Sequence, residues 1–161
     1  MSGSGAAGAH PTRSTRRSTM TEATTQTPDA VRPNRAMMER DRASAALGLV
    51  VERDDPGHAI VSMRVRDDMT NGFHITHGGF VFALADTAFA IACNEDDRVT
   101  VAAGADISFL KSTVSGQTLT ATAVRRTRTG RSGIYDVSVV DEQGEPVAEF
   151  RGRSRTTNQT L

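Results

Sequence analysis

The chain has 161 residues, enough for one domain with a substantial core. Lys+Arg and Asp+Glu balance at 19 each, so a general nucleic-acid binder, with its basic excess, is disfavoured. Residues 1–21 carry Arg13, Arg16 and Arg17 and no acid, which leaves residues 22–161 at −3, so an anionic ligand must be held by local groups rather than by the global field.

Cys93 is the single cysteine, which excludes an intrachain disulfide and fits a reducing cytoplasm. No apolar run nears the roughly 18 residues that mark a membrane span. A cytoplasmic protein with neither a membrane nor a nucleic-acid partner is expected.

Residues 1–32 read as a disordered tail rich in Gly, Ser, Thr, Ala and Arg, with almost nothing to anchor a core. The folded domain is expected over residues 35–157. Its first element is predicted as a short helix over 35–46, with Met37, Met38 and Ala45 facing inward and Gly48 ending it. Strands over 49–53 and 58–65 follow, joined at Asp54-Asp55-Pro56-Gly57, a strong turn signal. In the second strand Ala59, Val61, Met63 and Val65 alternate with polar residues, the mark of a half-buried strand.

Residues 67–77 are irregular, and 78–94 have the length and alanine content of a helix. Four strands are predicted after it, over 99–110, 117–126, 133–140 and 146–155, with Asp141-Glu142-Gln143-Gly144 as a hairpin turn. Runs of antiparallel strands around one long central helix give the α+β class, with the sheet wrapped around that helix.

The central helix carries the chemistry. Over 80–93 it is apolar on every side except at Asp86 and Thr87, so it should be buried. Phe82, Ala83, Phe89 and Ala90 surround Asp86 on the helix surface. Burying a carboxylate there costs several kcal/mol unless it is paired, hydrogen-bonded or protonated. The Thr87 hydroxyl is expected to bond back to a carbonyl of its own helix. A structural acid paired with a distant arginine is the plain alternative for Asp86. The helix, however, opens with His77-Gly78-Gly79, and free amides at a helix start attract anionic oxygen. An oxyanion donor and a carboxylate base are two components of thioester hydrolysis. Eight helical residues separate Gly78 from Asp86 by roughly 12 Å, so one helix cannot present both to one carbonyl. Two subunits with antiparallel helices across a two-fold axis could, and a homodimer with shared sites is expected.

The run Asn71-Gly72-x-His74-x-x-His77-Gly78-Gly79-x-x-Phe82-x-Leu84-Ala85-Asp86-Thr87-Ala88-Phe89 closely resembles the signature of PaaI-type hotdog thioesterases, which accompany phenylacetate degradation. The similarity continues through Ala92-Cys93-Asn94, Ile107-x-Phe109-Leu110-Lys111, Gly116-x-Thr118-Leu119, Gly133-x-Tyr135-Asp136-Val137 and Phe150-Arg151-Gly152. The resemblance implies the hotdog fold, a dimer-of-dimers tetramer, and aryl-acetyl-CoA substrates such as hydroxyphenylacetyl-CoA. It implies Asp86 as the catalytic acid, acting as nucleophile or as base on water. Gly78 matches the backbone N–H that polarises the thioester carbonyl, while His77 and Asn71 match the residues that orient loop and substrate. Some relatives place a hydroxyl on the strand after the helix. Here that stretch is Val101-Ala102-Ala103-Gly104, which leaves Thr100 as the nearest candidate.

Gly79, Phe82 and Phe89 are candidate substrate contacts, and Lys111, Arg128 and Arg131 are candidates for the CoA phosphates, since arginine grips phosphate in bidentate fashion. The alternative for these arginines is a solvated hairpin end. No cofactor is expected, coenzyme A being part of the substrate. No metal site is expected either, because His77 and Asp86 lie two helical turns apart. Cys93, near the helix C-terminus, reads as a small buried hydrophobe. Hydratase chemistry is disfavoured because no histidine follows Asp86. The remaining alternatives are a non-catalytic acyl-CoA sensor and a medium-chain acyl-CoA thioesterase.

Overall fold

The computed structural model describes Met1, Gly3 and residues 32–160, so the expected tail lies almost wholly outside the described residues. The elements run α1 (Pro33–Met38), α2 (Arg42–Leu47), β1 (Val50–Asp55), β2 (His58–Arg64), a 3-10 turn at Asp67–Met69, α3 (Gly78–Cys93), β3 (Arg98–Phe109), β4 (Thr118–Thr129), β5 (Ser132–Val140) and β6 (Pro146–Thr160). The six strands form one antiparallel sheet in the order β1-β2-β4-β5-β6-β3, which packs against α3. This is the hotdog arrangement, an α+β fold in which a curled sheet holds one main helix.

Small side chains beneath α3 let the helix sit close. Ala59 pairs with Ala123, which pairs with Val137, and Val61 pairs with Ala121, which pairs with Val139. All six are fully buried against Leu84, Ala85, Ala88 and Phe89 of the helix. Gly152 of β6 completes the fit: a Cβ there would lie 2.7 Å from the Phe89 ring. The β1–β2 turn is Pro56-Gly57, with Gly57 at φ 75°, a conformation glycine adopts without strain.

Several sequence expectations need correction. The predicted helix over 35–46 is two helices, because Asp41 caps a new one: its carboxylate accepts the Ser44 N–H at 3.0 Å and the Ser44 hydroxyl at 2.6 Å. The restart shifts the helical phase, so Ala45 is exposed and Ser44 is buried. Met37 and Met38 do pack against the core. Thr87 bonds not to its own helix but to Ser44 Oγ at 3.1 Å. Ser44 already donates to Asp41, so Thr87 is the donor, and the chain Thr87–Ser44–Asp41 ties α2 to α3. β6 runs five residues further than expected because Thr160 still pairs with Arg98 at the start of β3.

α3 is not enclosed on every side among the described residues. The sheet covers one face, and α1 and α2 cover a second. Gly79, Phe82, Ala83, Asp86 and Ala90 form a stripe at helical spacing that stays wholly or partly open. β3, 12 residues long, is an edge strand with Val101 and Phe109 exposed.

Candidate active site

The segment before α3 is pinned from within. His77 N–H donates to Met69 O and Thr76 N–H donates to Thr113 O, each at 2.8 Å, while Thr113 Oγ1 donates to Thr76 Oγ1 at 2.7 Å. Both threonines are buried, so the β3–β4 connection fixes where the helix begins. Asn71 shapes the loop: its Oδ1 accepts Phe73 N–H at 2.9 Å and its N–H donates to Ile75 O at 2.8 Å. His74 follows at φ 60°, in the left-handed region that histidine enters more readily than most residues. Asn71 Nδ2 has no partner among the described residues.

His77 is the N-cap of α3. Its Nδ1 accepts Gly79 N–H at 3.0 Å, which assigns the ring proton to Nε2. Its carbonyl accepts Phe80 N–H at 2.9 Å. Gly78 N–H, between them, donates to nothing among the described residues. A free amide at the positive end of a 16-residue helix is suited to an oxygen that is gaining negative charge.

Asp86 lies two turns along, on the open stripe, partly buried. Burial raises its pKa above the ordinary value of 3.8, and no hydrogen bond or ion pair offsets this among the described residues. The structural alternative, pairing with a distant arginine, is not realised there. A desolvated, unpartnered carboxylate is a stronger base than an exposed one.

Asn71 and Gly78 line one cleft of about 290 Å³, together with Ile75, Val81, Phe109 and Lys111. Asp86 is not among its lining residues, in keeping with the separation along α3. Gly79 and Phe82 lie on the open stripe, with Phe82 packed edge-on against Phe150 at 5.4 Å. Phe89 is elsewhere: it is fully buried between α3 and the sheet, its ring against Tyr135 and Phe150.

The expected phosphate-binding cations differ in their commitments. Lys111 Nζ bonds Asp141 Oδ2 at 2.6 Å, and Arg128 binds Asp96 at 2.9 Å and Glu95 at 3.4 Å. Glu95 also accepts the buried Tyr135 hydroxyl at 2.7 Å and pairs with Arg125, a network at the far end of α3. Arg131 uses Nε on Thr156 O and keeps its other N–H groups unpartnered among the described residues. A second concavity, of about 520 Å³, is lined by Ser132, Arg153 and Arg155 beside the β4–β5 hairpin.

Thr100 does not reach the site. Its hydroxyl is buried against Thr156 Oγ1 at 3.0 Å, so no hydroxyl from that part of β3 faces the stripe. Burial pushes the Cys93 thiol up to about 12, which leaves it an inert core residue. No cluster of three metal-ligating side chains occurs among the described residues. Sequence reasoning missed the Thr76–Thr113 tether and the placement of Phe109, whose signal was its place in the Ile107-x-Phe109-Leu110-Lys111 run.

Residues 73–148 match the model of the thioesterase superfamily. The acyl-coenzyme A thioesterase PaaI of Escherichia coli K12 is 44% identical over 126 residues, 78% of this chain and 90% of that protein. This chain belongs to the PaaI-type acyl-CoA thioesterases. The solved structure of E. coli PaaI, from the phenylacetic acid degradation operon, superposes with a TM-score of 0.77 at 43% identity, covering 80% of this chain and 93% of that one. The TT0310 protein of Thermus thermophilus superposes at 0.70 with 38% identity, over 73% and 99% of the two chains. As a PaaI-type thioesterase the protein takes a small-molecule acyl-CoA and hydrolyses its thioester. No helix among the described residues is long and apolar enough to cross a membrane.

Proposed function

We propose that this thioesterase hydrolyses aryl-acetyl-CoA thioesters such as hydroxyphenylacetyl-CoA, with Asp86 of one subunit and Gly78 of the partner subunit acting on one carbonyl. The observation that carries this reading is the Asp86 carboxylate, partly buried, without a partner among the described residues, and on the open stripe of α3. Two such helices packed antiparallel across a two-fold axis would bring each carboxylate to the other subunit's helix start. The open stripe and the exposed edge strand β3 supply surfaces for that dimer, and two dimers would make the tetramer that the family resemblance implies.

In the reaction the Gly78 N–H receives the carbonyl oxygen as it gains charge, and Asp86 attacks the carbonyl carbon or takes a proton from the attacking water. The thiolate of coenzyme A leaves and takes up the proton that the attacking water gives up. Where Asp86 attacks directly, water then hydrolyses the mixed anhydride and restores the carboxylate, so both routes end at the free acid and the thiol. The helix-start amides, facing Asp86 across the interface, stabilise its ionised form against the burial that raises its pKa. Asn71 Nδ2 is a further donor for the substrate. The phosphates of coenzyme A fit the hairpin end of the sheet, where Arg131 and Arg155 have N–H groups to offer and Ser132 lies beside them. Lys111 and Arg128 would each have to leave an acidic partner to join them.

The aryl preference rests on the relative's operon and on exposed aromatic rings at the helix start and stripe, Phe73, Phe82 and Phe109. The test is thiol release from phenylacetyl-CoA, hydroxyphenylacetyl-CoA and straight-chain acyl-CoAs. A higher kcat/KM for the aryl thioesters supports the reading. A preference for medium straight chains reassigns the substrate, and binding without turnover contradicts catalysis.

A further inference from the structure

We infer that Phe109 is a specificity-determining residue, its ring forming the wall over the Gly78 amide against which the acyl group of the substrate packs. The inference rests on Gly78 as the donor to the thioester carbonyl. A Cβ at Gly78 would lie 3.0 Å from Phe109 Cζ and 3.3 Å from Cε1, so the ring edge sits directly on the glycine. Gly78 does not have a left-handed φ, so its backbone does not require glycine; a methyl there would press on the ring, which would have to give by a few tenths of an ångström.

Phe109 is the last residue of β3, and its neighbours there are held: Leu110 N–H donates to Val147 O at 2.9 Å. The ring is 55% exposed and makes no ring contact with another aromatic side chain among the described residues, unlike Phe82, Phe89, Tyr135 and Phe150. An aromatic residue with little share in the core therefore stands at the one amide of the helix start that is free for substrate. It lines the same cleft as Gly78, Asn71 and Val81. A carbonyl oxygen bonded to Gly78 N–H brings its acyl α-carbon within packing range of this ring. An aryl group there gains an aromatic contact that an alkyl chain does not, a difference of about 2- to 10-fold in affinity.

The experiment compares kcat/KM for phenylacetyl-CoA and hexanoyl-CoA in the full-length wild type and in Phe109→Leu, Phe109→Ala and Phe109→Tyr, with folding checked by thermal melts. The aryl-to-alkyl ratio is expected to fall about 2- to 10-fold in the Leu and Ala variants and to be kept in Tyr. An unchanged ratio, or equal losses on both substrates, overturns the inference. Gly78→Ala and Gly78→Ala/Phe109→Ala test the contact between glycine and ring. The single variant should lose kcat as its methyl meets the ring, and the double variant should recover part of that loss. An impaired Gly78→Ala with no recovery in the double variant overturns the role of the ring. Gly78→Ala keeps the backbone N–H, so the donor itself is tested by Gly78→Pro, which lacks that N–H at a first helical position that accepts proline: full activity there removes Gly78 as donor and the inference with it.

Discussion

The His77 imidazole accepts the amide of Gly79, and by doing so leaves the amide of Gly78, one residue earlier, free at the helix start. A capping residue thus sorts the helix amides into one that is satisfied and one that is available. This relationship makes His77 testable apart from any contact with substrate. His77→Ala should lose about 1 kcal/mol of stability with the cap. It should also lower kcat by about 10- to 100-fold as the donor drifts from its position. Asparagine is a strong N-cap, so His77→Asn should recover most of both. Thermal melts and steady-state kinetics on the two variants check the claim.

The burial of Asp86 fixes the pH behaviour. Its pKa is raised, so the acid limb of kcat/KM should have its midpoint above the ordinary carboxylate value of 3.8. The same shift has a consequence for stability. Between the unfolded pKa and the raised native one, the native state holds more protons than the unfolded chain, so stability falls as pH rises through that window. Above it the ionised carboxylate is a net cost. Asp86→Asn should therefore melt at a higher temperature than wild type at neutral pH, and the advantage should vanish below pH 3.8, where both states are protonated. Melts across the pH range measure it.

Arg131 and Arg155 should act on the coenzyme rather than on the chemistry. Charge reversal at either one removes a charge-assisted phosphate contact and should raise KM for acyl-CoA roughly tenfold with little change in kcat. KM for the matching acyl-pantetheine, which lacks the nucleotide, should stay as it is. Equal effects on both thioesters would move the phosphate site elsewhere.

Gly152 gives a purely structural check. Its missing Cβ leaves the space that the Phe89 ring fills, so Gly152→Ala overpacks the core and should cost about 1–3 kcal/mol. Denaturant unfolding reads this directly.

Much of the molecule was legible from patterning alone. The alternation of Ala59, Val61, Met63 and Val65 fixed the buried face of β2, and the length and composition of 78–94 fixed α3 to within a residue. What escaped depends on distant partners. Thr87 looked like a residue that bonds within its helix, but its partner Ser44 is 43 positions away. Arg128 looked free because the acids that hold it, Glu95 and Asp96, are more than thirty residues earlier. The break between α1 and α2 was a local competition: the apolar spacing of Met37, Met38 and Ala45 favoured one helix, and the capping strength of Asp41 prevailed. At the site, residue types and spacing pointed to Asp86 and Gly78. The ring of Phe109 over Gly78 required β3 and α3 to be placed together.

The central claim is that the lone carboxylate on the open face of α3 drives hydrolysis. The most direct measurement is turnover of phenylacetyl-CoA by Asp86→Asn, alongside circular dichroism and sedimentation to confirm fold and assembly. The account predicts native structure with kcat reduced by at least about 100-fold. An Asp86→Asn protein that turns over at the wild-type rate would contradict it.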